Sequence, residues 1–473
     1  MVKAMGAPLP WKDPCPAGLL HAKSYFCVRL LMTIELLYDL YQRYPSVQTD
    51  TRQLKQGDLF FALKGPNFNG NAFALRALEL GAAYAIVDEP VVSPSVSATP
   101  VANDRIIQVH DVLFTLHQLA LYHRRHFDIP FIAITGSNGK TTTKELIHAV
   151  LASTFQTYTT KGNLNNHIGI PLTILSVHRD AEFAVIEMGA NHQKEIEGYC
   201  RYTLPTHGII TNIGRAHLEG FGGVDGVRKG KGELYDYLRD EGGSAFVFRD
   251  SEDLRQMSRG IPHIITYGTA DADVVGKVAP SEDSFLHVEI TRGAIAGVVP
   301  TQLVGDYNLP NVLVAVAVGK HFGVSDAKIR QAITQYTPSN SRSQLIERDG
   351  NHIILDAYNA NPSSMRAAIE NFARLATDGG EKVLVLGAMA ELGPESVNEH
   401  RGIVELIGEY PWAQVVLVGG DFLKVEHPYL SFANSAEAAK WYGGAGLKGA
   451  WVLIKGSRSS RMEEVLARTP GVS

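Results

Sequence analysis

The chain has 473 residues, 45% of them hydrophobic and 20% charged, with a formal net charge of −5 when histidine is neutral. That length exceeds one ordinary hydrophobic core and points to two or three domains of a soluble globular protein. The weakly acidic balance gives no basis for a nucleic-acid or anionic-membrane partner, so any phosphate site must be built locally.

The three cysteines, Cys15, Cys27 and Cys200, show no Cys-x-x-Cys spacing. Neither a disulfide framework nor a zinc site is indicated, and a reducing, cytoplasmic compartment fits best. No apolar run reaches the roughly 18 residues of a membrane-spanning helix. Residues 1–31 hold scattered Pro and Lys and lack both an apolar segment of signal length and a cleavage site. They are expected to be a disordered extension. Met32 is an alternative start, because residues 32–44 open the first amphipathic helix.

A small α/β unit is expected over residues 32–127. After the first helix comes Gln48-Thr49-Asp50-Thr51-Arg52, then a strand within 57–63, the polar glycine loop Gly65-Pro66-Asn67-Phe68-Asn69-Gly70-Asn71, a helix over 72–80 and a strand at 85–87. Two such loops in one small unit suit a polar ligand. A Pro/Ser-containing stretch over 91–100, a strand at 106–109 and a helix over 113–126 lead to a boundary at Asp128-Ile129-Pro130.

The second unit, 128–337, opens on the stretch around which the chain is organised. Residues 131–134 are apolar without interruption, as in a parallel strand buried on both faces, and Ile147, Val150 and Leu151 recur at helical spacing. Between them lie Gly136-Ser137-Asn138-Gly139-Lys140-Thr141-Thr142. The glycines let backbone N–H groups approach phosphate oxygens, Lys140 can reach the β- and γ-phosphates, and the Thr141 hydroxyl can hold Mg²⁺. The common form has a glycine six residues before the lysine; Ile134 stands there, so this is a compact Gly-x-x-Gly-Lys-Thr variant. An ordinary strand-to-helix turn would not need the Lys-Thr pair.

A second polar loop covers 159–166 and includes Asn165 and Asn166. The strand at 183–186 ends in Glu187, a carboxylate at the carboxyl end of a strand, where open α/β sheets collect ligands. It is expected to be a Mg²⁺ ligand facing the Lys140 loop. The next strand, 208–211, leads to a loop holding His217, a candidate for a second metal position. Strands dominate 245–304, and Gly305-Asp306-Tyr307-Asn308 opens a helix over 312–322. The Pro/Ser-rich run Thr337-Pro338-Ser339-Asn340-Ser341-Arg342-Ser343 is the second boundary. Beyond it, strands at 353–356, 383–386, 415–418 and 451–454 alternate with helices, so 338–473 reads as another mononucleotide-type α/β domain.

A phosphate loop in the middle of three α/β domains suggests ATP chemistry at a closing cleft. A kinase, an ATP-driven ligase and a mechanical NTPase all remain open on those grounds. Five runs go further: residues 135–143, Gly162-Asn163-Leu164-Asn165-Asn166, Ile186-Glu187-Met188-Gly189-Ala190-Asn191-His192, Ala216-His217-Leu218-Glu219-Gly220-Phe221-Gly222, and Asp356-Ala357-Tyr358-Asn359-Ala360-Asn361-Pro362. Together they resemble the Mur ligase family.

The resemblance implies an N-terminal uridine-nucleotide domain, a central P-loop ATPase domain with a mostly parallel sheet, and a C-terminal Rossmann-like domain. The Gly-Ala-Asn-His and Tyr-Asn-Ala-Asn-Pro runs imply the branch that adds D-alanyl-D-alanine to UDP-N-acetylmuramoyl-tripeptide in peptidoglycan precursor synthesis. ATP and Mg²⁺ follow as cosubstrate and metal, with a monomer as the working form. By the same resemblance Lys140, Glu187, His217 and Lys231 are catalytic, with Thr141, Glu187 and His217 at metal positions. Gly136 to Thr142, Asn308 and Asp356 would contact ATP. Asp50, Thr51, Arg52, Asn69, Asn71, Asn165, Asn166, Asn191, His192, Tyr358, Asn359, Lys455 and Ser457 would contact the other substrates. Lys231 stands where related ligases carry a lysine carbamylated by CO₂. The chain departs from common family residues at Asn71, at Asp306-Tyr307 and at Ala388. The alternatives are a folate polyglutamate ligase, which would not need the Gly-Ala-Asn-His run, and a non-catalytic nucleotide-binding scaffold.

Overall fold

The structure, a computed structural model, describes residues 32–91, 103–293, 295, 297–339 and 341–467. The expected extension over residues 1–31 lies outside them, as does most of the Pro/Ser-containing stretch after residue 91.

The first unit is a four-stranded parallel sheet, Val47–Gln48, Leu59–Phe61, Tyr84–Val87 and Ile106–Gln108, with neighbours in chain order. Its helix Ile34–Arg43 buries Leu37, Tyr38 and Tyr41, one apolar stripe at helical spacing. The loop expected over 65–71 is more ordered than its composition suggests. Lys64–Gly65 pairs with Phe68–Asn69 as a small hairpin, and a 3₁₀ turn follows over Gly70–Phe73, so the α-helix begins only at Ala74. Two features fix this turn. The Asn69 side chain accepts from the Asn71 N–H at 3.0 Å, and a Cβ at Gly70 would lie 2.5 Å from the Leu63 carbonyl oxygen.

The helix Val112–Arg124 binds this unit to the centre. The Tyr38 hydroxyl meets His123 Nδ1 at 3.1 Å, and the Arg124 guanidinium donates to the carbonyls of Thr203, Phe127 and Leu204. Three carbonyls on one buried guanidinium satisfy a charge that would otherwise be costly to bury.

The central sheet has nine strands. From the edge strand Thr157–Thr159 it runs parallel through Phe183–Glu187, Phe131–Thr135, His207–Ile210, Ser244–Phe248, His263–Gly268 and Val274–Ala279, then ends in antiparallel His287–Arg292 and Val298–Pro300. Every residue of Phe131–Thr135 is buried, which is why its sequence is apolar without alternation. Thr157–Thr159 is a strand whose last residue is where the sequence places the start of a polar loop; edge pairing to Phe183–Glu187 supplies what its composition does not.

The third sheet orders six strands as Gln344–Arg348, Asn351–Asp356, Trp451–Lys455, Lys382–Gly387, Gln414–Val418 and Leu430–Phe432. Only the first pair is antiparallel. It is joined by Asp349-Gly350, both with positive φ, the two-residue turn that suits a hairpin. The carboxyl ends of Phe131–Thr135, Phe183–Glu187 and His207–Ile210 in the central sheet, and of Asn351–Asp356, Lys382–Gly387 and Trp451–Lys455 in the third, border one cleft, so the loops that follow them supply its walls.

Candidate active site

The phosphate loop runs from Gly136, φ 138°, to Gly139, φ 79°. The helix Lys140–Ala152 then starts with no side-chain cap, so its first N–H groups are available to an anion. Lys140 Nζ donates to the Gly136 carbonyl at 2.7 Å and the Ser137 carbonyl at 3.2 Å, which holds the ammonium over the loop. Burial pushes its pKa down, and the Glu187 charge opposes that shift.

The neighbouring strand delivers Glu187, 1% exposed, beneath the same loop. Its Oε2 accepts from the Thr141 hydroxyl at 2.9 Å and its Oε1 from Asn165 Nδ2 at 2.8 Å. Both carboxylate oxygens are thereby fixed. A hydroxyl and a carboxylate form a hard oxygen pair suited to Mg²⁺, which keeps several waters and shares phosphate oxygens rather than using an all-protein cage. Among the described residues no three His, Cys, Asp or Glu side chains gather as such a cage. The donors present fit a magnesium shared with a nucleotide.

The loop is pinned from below. Asn212 Oδ1 accepts from the Asn138 N–H at 2.9 Å, and the Thr211 hydroxyl donates to the Asn138 carbonyl at 2.6 Å. A Cβ at Gly136 would lie 2.0 Å from Thr211 Oγ1, on a backbone with φ 138°. Gly136→Ala should therefore lower unfolding stability by about 1–3 kcal/mol, together with a weaker ATP affinity. Denaturant unfolding and nucleotide titration check this; an unchanged midpoint would mean the loop yields freely.

Asn308 sits behind the loop, 4% exposed. It donates to the Val304 carbonyl and accepts from Asn311 Nδ2, both at 2.9 Å, while Asn311 accepts from the Thr143 hydroxyl at 3.0 Å. This chain ties the helix Leu309–His321 to the helix that follows the phosphate loop.

The opposite wall comes from the third sheet. Asp356 and Lys455 end adjacent parallel strands in register and form an ion pair, with the Lys455 side chain 2% exposed. Asp356 Oδ1 also accepts from the Ser343 N–H at 3.2 Å, and the Asn359 carbonyl accepts from Lys455 at 3.4 Å. The Arg342 guanidinium lies 3.5 Å from the centroid of the Tyr358 ring. The two walls touch: Asn361 Nδ2 donates to Asn138 Oδ1 at 2.7 Å, and His217 Nδ1 bonds Glu391 Oε2. The cleft they enclose is about 1150 Å³, and its lining includes Ser137 to Thr142, Asn165, Asn166, Glu187, Asn191, His217, Asn308, Asp356, Tyr358, Asn359 and Lys455.

Other expected residues lie elsewhere. Asp50, Thr51, Arg52, Asn69 and Asn71 belong to the first unit and do not line this cleft. Arg52 forks onto the Asp50 carboxylate at 2.7 and 2.9 Å, and these bonds hold that carboxyl down to about 2. Asn71 is turned inward, its amide donating to Asp88 Oδ1 at 2.8 Å and accepting from the Asp88 N–H at 3.0 Å. Asn69 donates to Glu89 at 2.8 Å. His192 is exposed beside the cleft, and its N–H bonds Glu195 at 2.9 Å. Ser457 is buried behind the wall, its hydroxyl 3.0 Å from those of Ser459 and Ser460. Lys231 is fully buried beneath the cleft floor, donating to the Ala190 carbonyl at 2.8 Å, with Nζ 4.9 Å from the Phe221 ring centroid. Burial pushes its pKa well down, and the Lys140 charge pushes the same way.

Asn212, Arg342, Asn361 and Glu391 were not singled out from the sequence as site residues, yet each lines the cleft. For Asn212 and Glu391 a signal existed: each lies in a loop after the carboxyl end of an inner parallel strand.

Three parts of the chain match descriptions of one family: the Mur ligase family catalytic domain over residues 43–124, the Mur ligase middle domain over 134–319, and the Mur ligase glutamate ligase domain over 341–458. The chain is 34% identical over 440 residues to the UDP-N-acetylmuramoyl-tripeptide–D-alanyl-D-alanine ligase of Bacillus subtilis, covering 89% of this chain and 92% of that one. It is 33% identical to the Escherichia coli enzyme of the same name, with the same coverage. Among solved structures it is similar to the MurF ligase of Thermotoga maritima in complex with ADP, at a TM-score of 0.79 and 28% identity, covering 90% of this chain and 97% of that one.

Proposed function

The chain belongs to the Mur ligase family, and from that membership we propose an ATP-dependent ligase that joins D-alanyl-D-alanine to UDP-N-acetylmuramoyl-tripeptide, a step of peptidoglycan precursor synthesis. The observation that carries the reading is the Thr141–Glu187 pair under the phosphate loop, set across one cleft from the Asp356–Lys455 pair. The ADP-bound relative supports ATP as the nucleotide. The name shared by both curated relatives favours this substrate pair over folate and glutamate. A soluble nucleotide-linked substrate and ATP suit a monomeric cytoplasmic enzyme, and no helix among the described residues is long and apolar enough to cross a membrane.

A carboxylate is a poor electrophile, so the tripeptide carboxylate first takes the γ-phosphoryl group of ATP. A carboxylate O–P bond forms, the β–γ bridge breaks and ADP leaves. The free amine of D-alanyl-D-alanine then attacks the acyl carbon, the C–O bond breaks, phosphate departs and the amine loses a proton. In this reading Lys140 and the helix N-terminus bind the phosphates and stabilise charge on the transferring group. Magnesium, which Thr141, Glu187 and His217 would hold, supplies further positive charge there when bound. Asp356 and Asn308 would contact ATP, while Asn165, Asn166, Asn191, His192, Tyr358, Asn359, Lys455 and Ser457 orient the tripeptide and dipeptide. The uridine nucleotide is assigned to the first unit, at Asp50, Thr51, Arg52, Asn69 and Asn71. Contact of the third unit with the phosphate loop would exclude the water that otherwise hydrolyses the acyl phosphate. The test is ADP release with the UDP-tripeptide and D-alanyl-D-alanine, with single amino acids, or with folate and glutamate. Only the first pair should give rapid turnover; turnover that requires folate would overturn the reading.

Lys231 is taken as carbamylated. The modification needs a neutral amine, which its burial favours. Lys231→Ala should lose most activity and regain part of it with added short carboxylates. Intact mass of a fully active preparation checks this, and an unmodified amine there would contradict it.

A further inference from the structure

The contact between His217 and Glu391 joins two units that no strand pairing connects. His217 follows the central strand His207–Ile210, and Glu391 follows Lys382–Gly387 of the third sheet. Beside their side-chain bond, the Glu219 N–H donates to the Glu391 carbonyl at 3.3 Å. Both residues are left-handed, with φ 54° at His217 and 60° at Glu391. Non-glycine residues hold that conformation at a cost, and only where their surroundings over-determine it. The pair itself is a weak reason for bearing that cost, because the Glu391 side chain is 49% exposed and exposed pairs stabilise little. Both side chains border the cleft.

We infer that Glu391 is a positioning residue for phosphoryl transfer, holding His217 by Nδ1 so that the metal position is complete only when the third unit lies against the central one. This rests on the metal role proposed for His217. A carboxylate only accepts, so in neutral imidazole it draws the proton to Nδ1 and leaves the lone pair on Nε2, the nitrogen not engaged by Glu391. Remove the carboxylate and neither tautomer nor ring orientation is set. Three other contacts register the same interface: Asn361 to Asn138 at 2.7 Å, the Arg215 N–H to the Ser363 hydroxyl at 2.9 Å, and the Arg215–Glu399 ion pair. None of them reaches a side chain assigned to the metal. An open enzyme would then lack one fixed ligand, and phosphoryl transfer would wait until the cleft is closed to water.

Glycine separates this role from a structural one, because it accepts φ 60° without strain. Glu391→Gly should unfold no more easily than the parent, yet bind Mn²⁺ about 10–100-fold more weakly. The binding is read by electron paramagnetic resonance of the ADP-loaded enzyme, where no turnover is needed. Its kcat should fall in parallel, with KM for the UDP-tripeptide unchanged. Glu391→Gln, whose amide oxygen still accepts from Nδ1, should recover most of the Mn²⁺ affinity. Glu391→Gly combined with His217→Ala should bind no worse than His217→Ala alone. Parental Mn²⁺ affinity and kcat in Glu391→Gly, with both lost in His217→Ala, would overturn the inference while sparing the metal site. So would losses that multiply in the double variant. Undiminished Mn²⁺ binding by His217→Ala would remove the metal role of His217, and the inference with it.

Discussion

Lys140→Ala is expected to abolish ATP turnover, by a factor of about 10²–10³ or more, while leaving uridine-nucleotide binding nearly unchanged. The ammonium is the positive side chain held directly over the phosphate loop, by the carbonyls of Gly136 and Ser137. Alanine removes that charge and places no new atoms in the cleft. The backbone should hold, because Asn138 is fixed by Thr211 and Asn212, and the Ser137 N–H by the Asn212 carbonyl, independently of the lysine. The residues assigned to the uridine nucleotide lie in the first sheet unit and do not line the cleft. Distant sites without shared partners behave independently. Calorimetry with the UDP-tripeptide, beside an ADP-release assay, reads the two ligands separately. Equal loss of both would mean that they share one site.

Glu187→Gln should cost nearly as much, about 10²–10³-fold in kcat, with a raised magnesium requirement. The substitution keeps the shape of a side chain that is 1% exposed. It removes the charge and turns one acceptor into a donor. Thr141 and Asn165 now both donate to this carboxylate, so one of them must lose its bond to the amide. The stability loss should be about 1–3 kcal/mol, too little to unfold the chain at assay temperature. A magnesium titration of turnover checks it. Full activity at the parental magnesium concentration would remove Glu187 from the metal site.

The parts of this architecture that were legible in the sequence are those where local pattern and tertiary role agree. Residues 131–134 are apolar because both faces of their strand are buried, and the glycines at 136 and 139 are required by their positive φ. The acid ending the neighbouring strand Phe183–Glu187 stands out because burying a carboxylate there needs a reason, and the structure gives it Thr141 and Asn165 as hydrogen-bond partners. What was not legible depends on distant pairing. Thr157–Thr159 and Gln344–Arg348 are edge strands whose partners lie elsewhere in the chain or across a turn. The Asp349-Gly350 pair carried a hairpin signal that periodicity alone passes over. Asn71 stands in a loop of polar, ligand-like composition, and its burial and two bonds to Asp88 come from a contact that no local pattern shows. Glu391 stands 174 residues from His217 in the chain, and only the contact between two separately folded sheets joins them.

The central claim is activation of a carboxylate by phosphoryl transfer, followed by attack of the dipeptide amine. Oxygen-18 in the terminal carboxylate of the UDP-tripeptide tests it most directly, because one carboxylate oxygen must leave with the phosphoryl group. With ATP and D-alanyl-D-alanine, the product should gain the mass of one dipeptide less one water, and the released phosphate should carry the label. A labelled product alongside unlabelled phosphate would contradict the account.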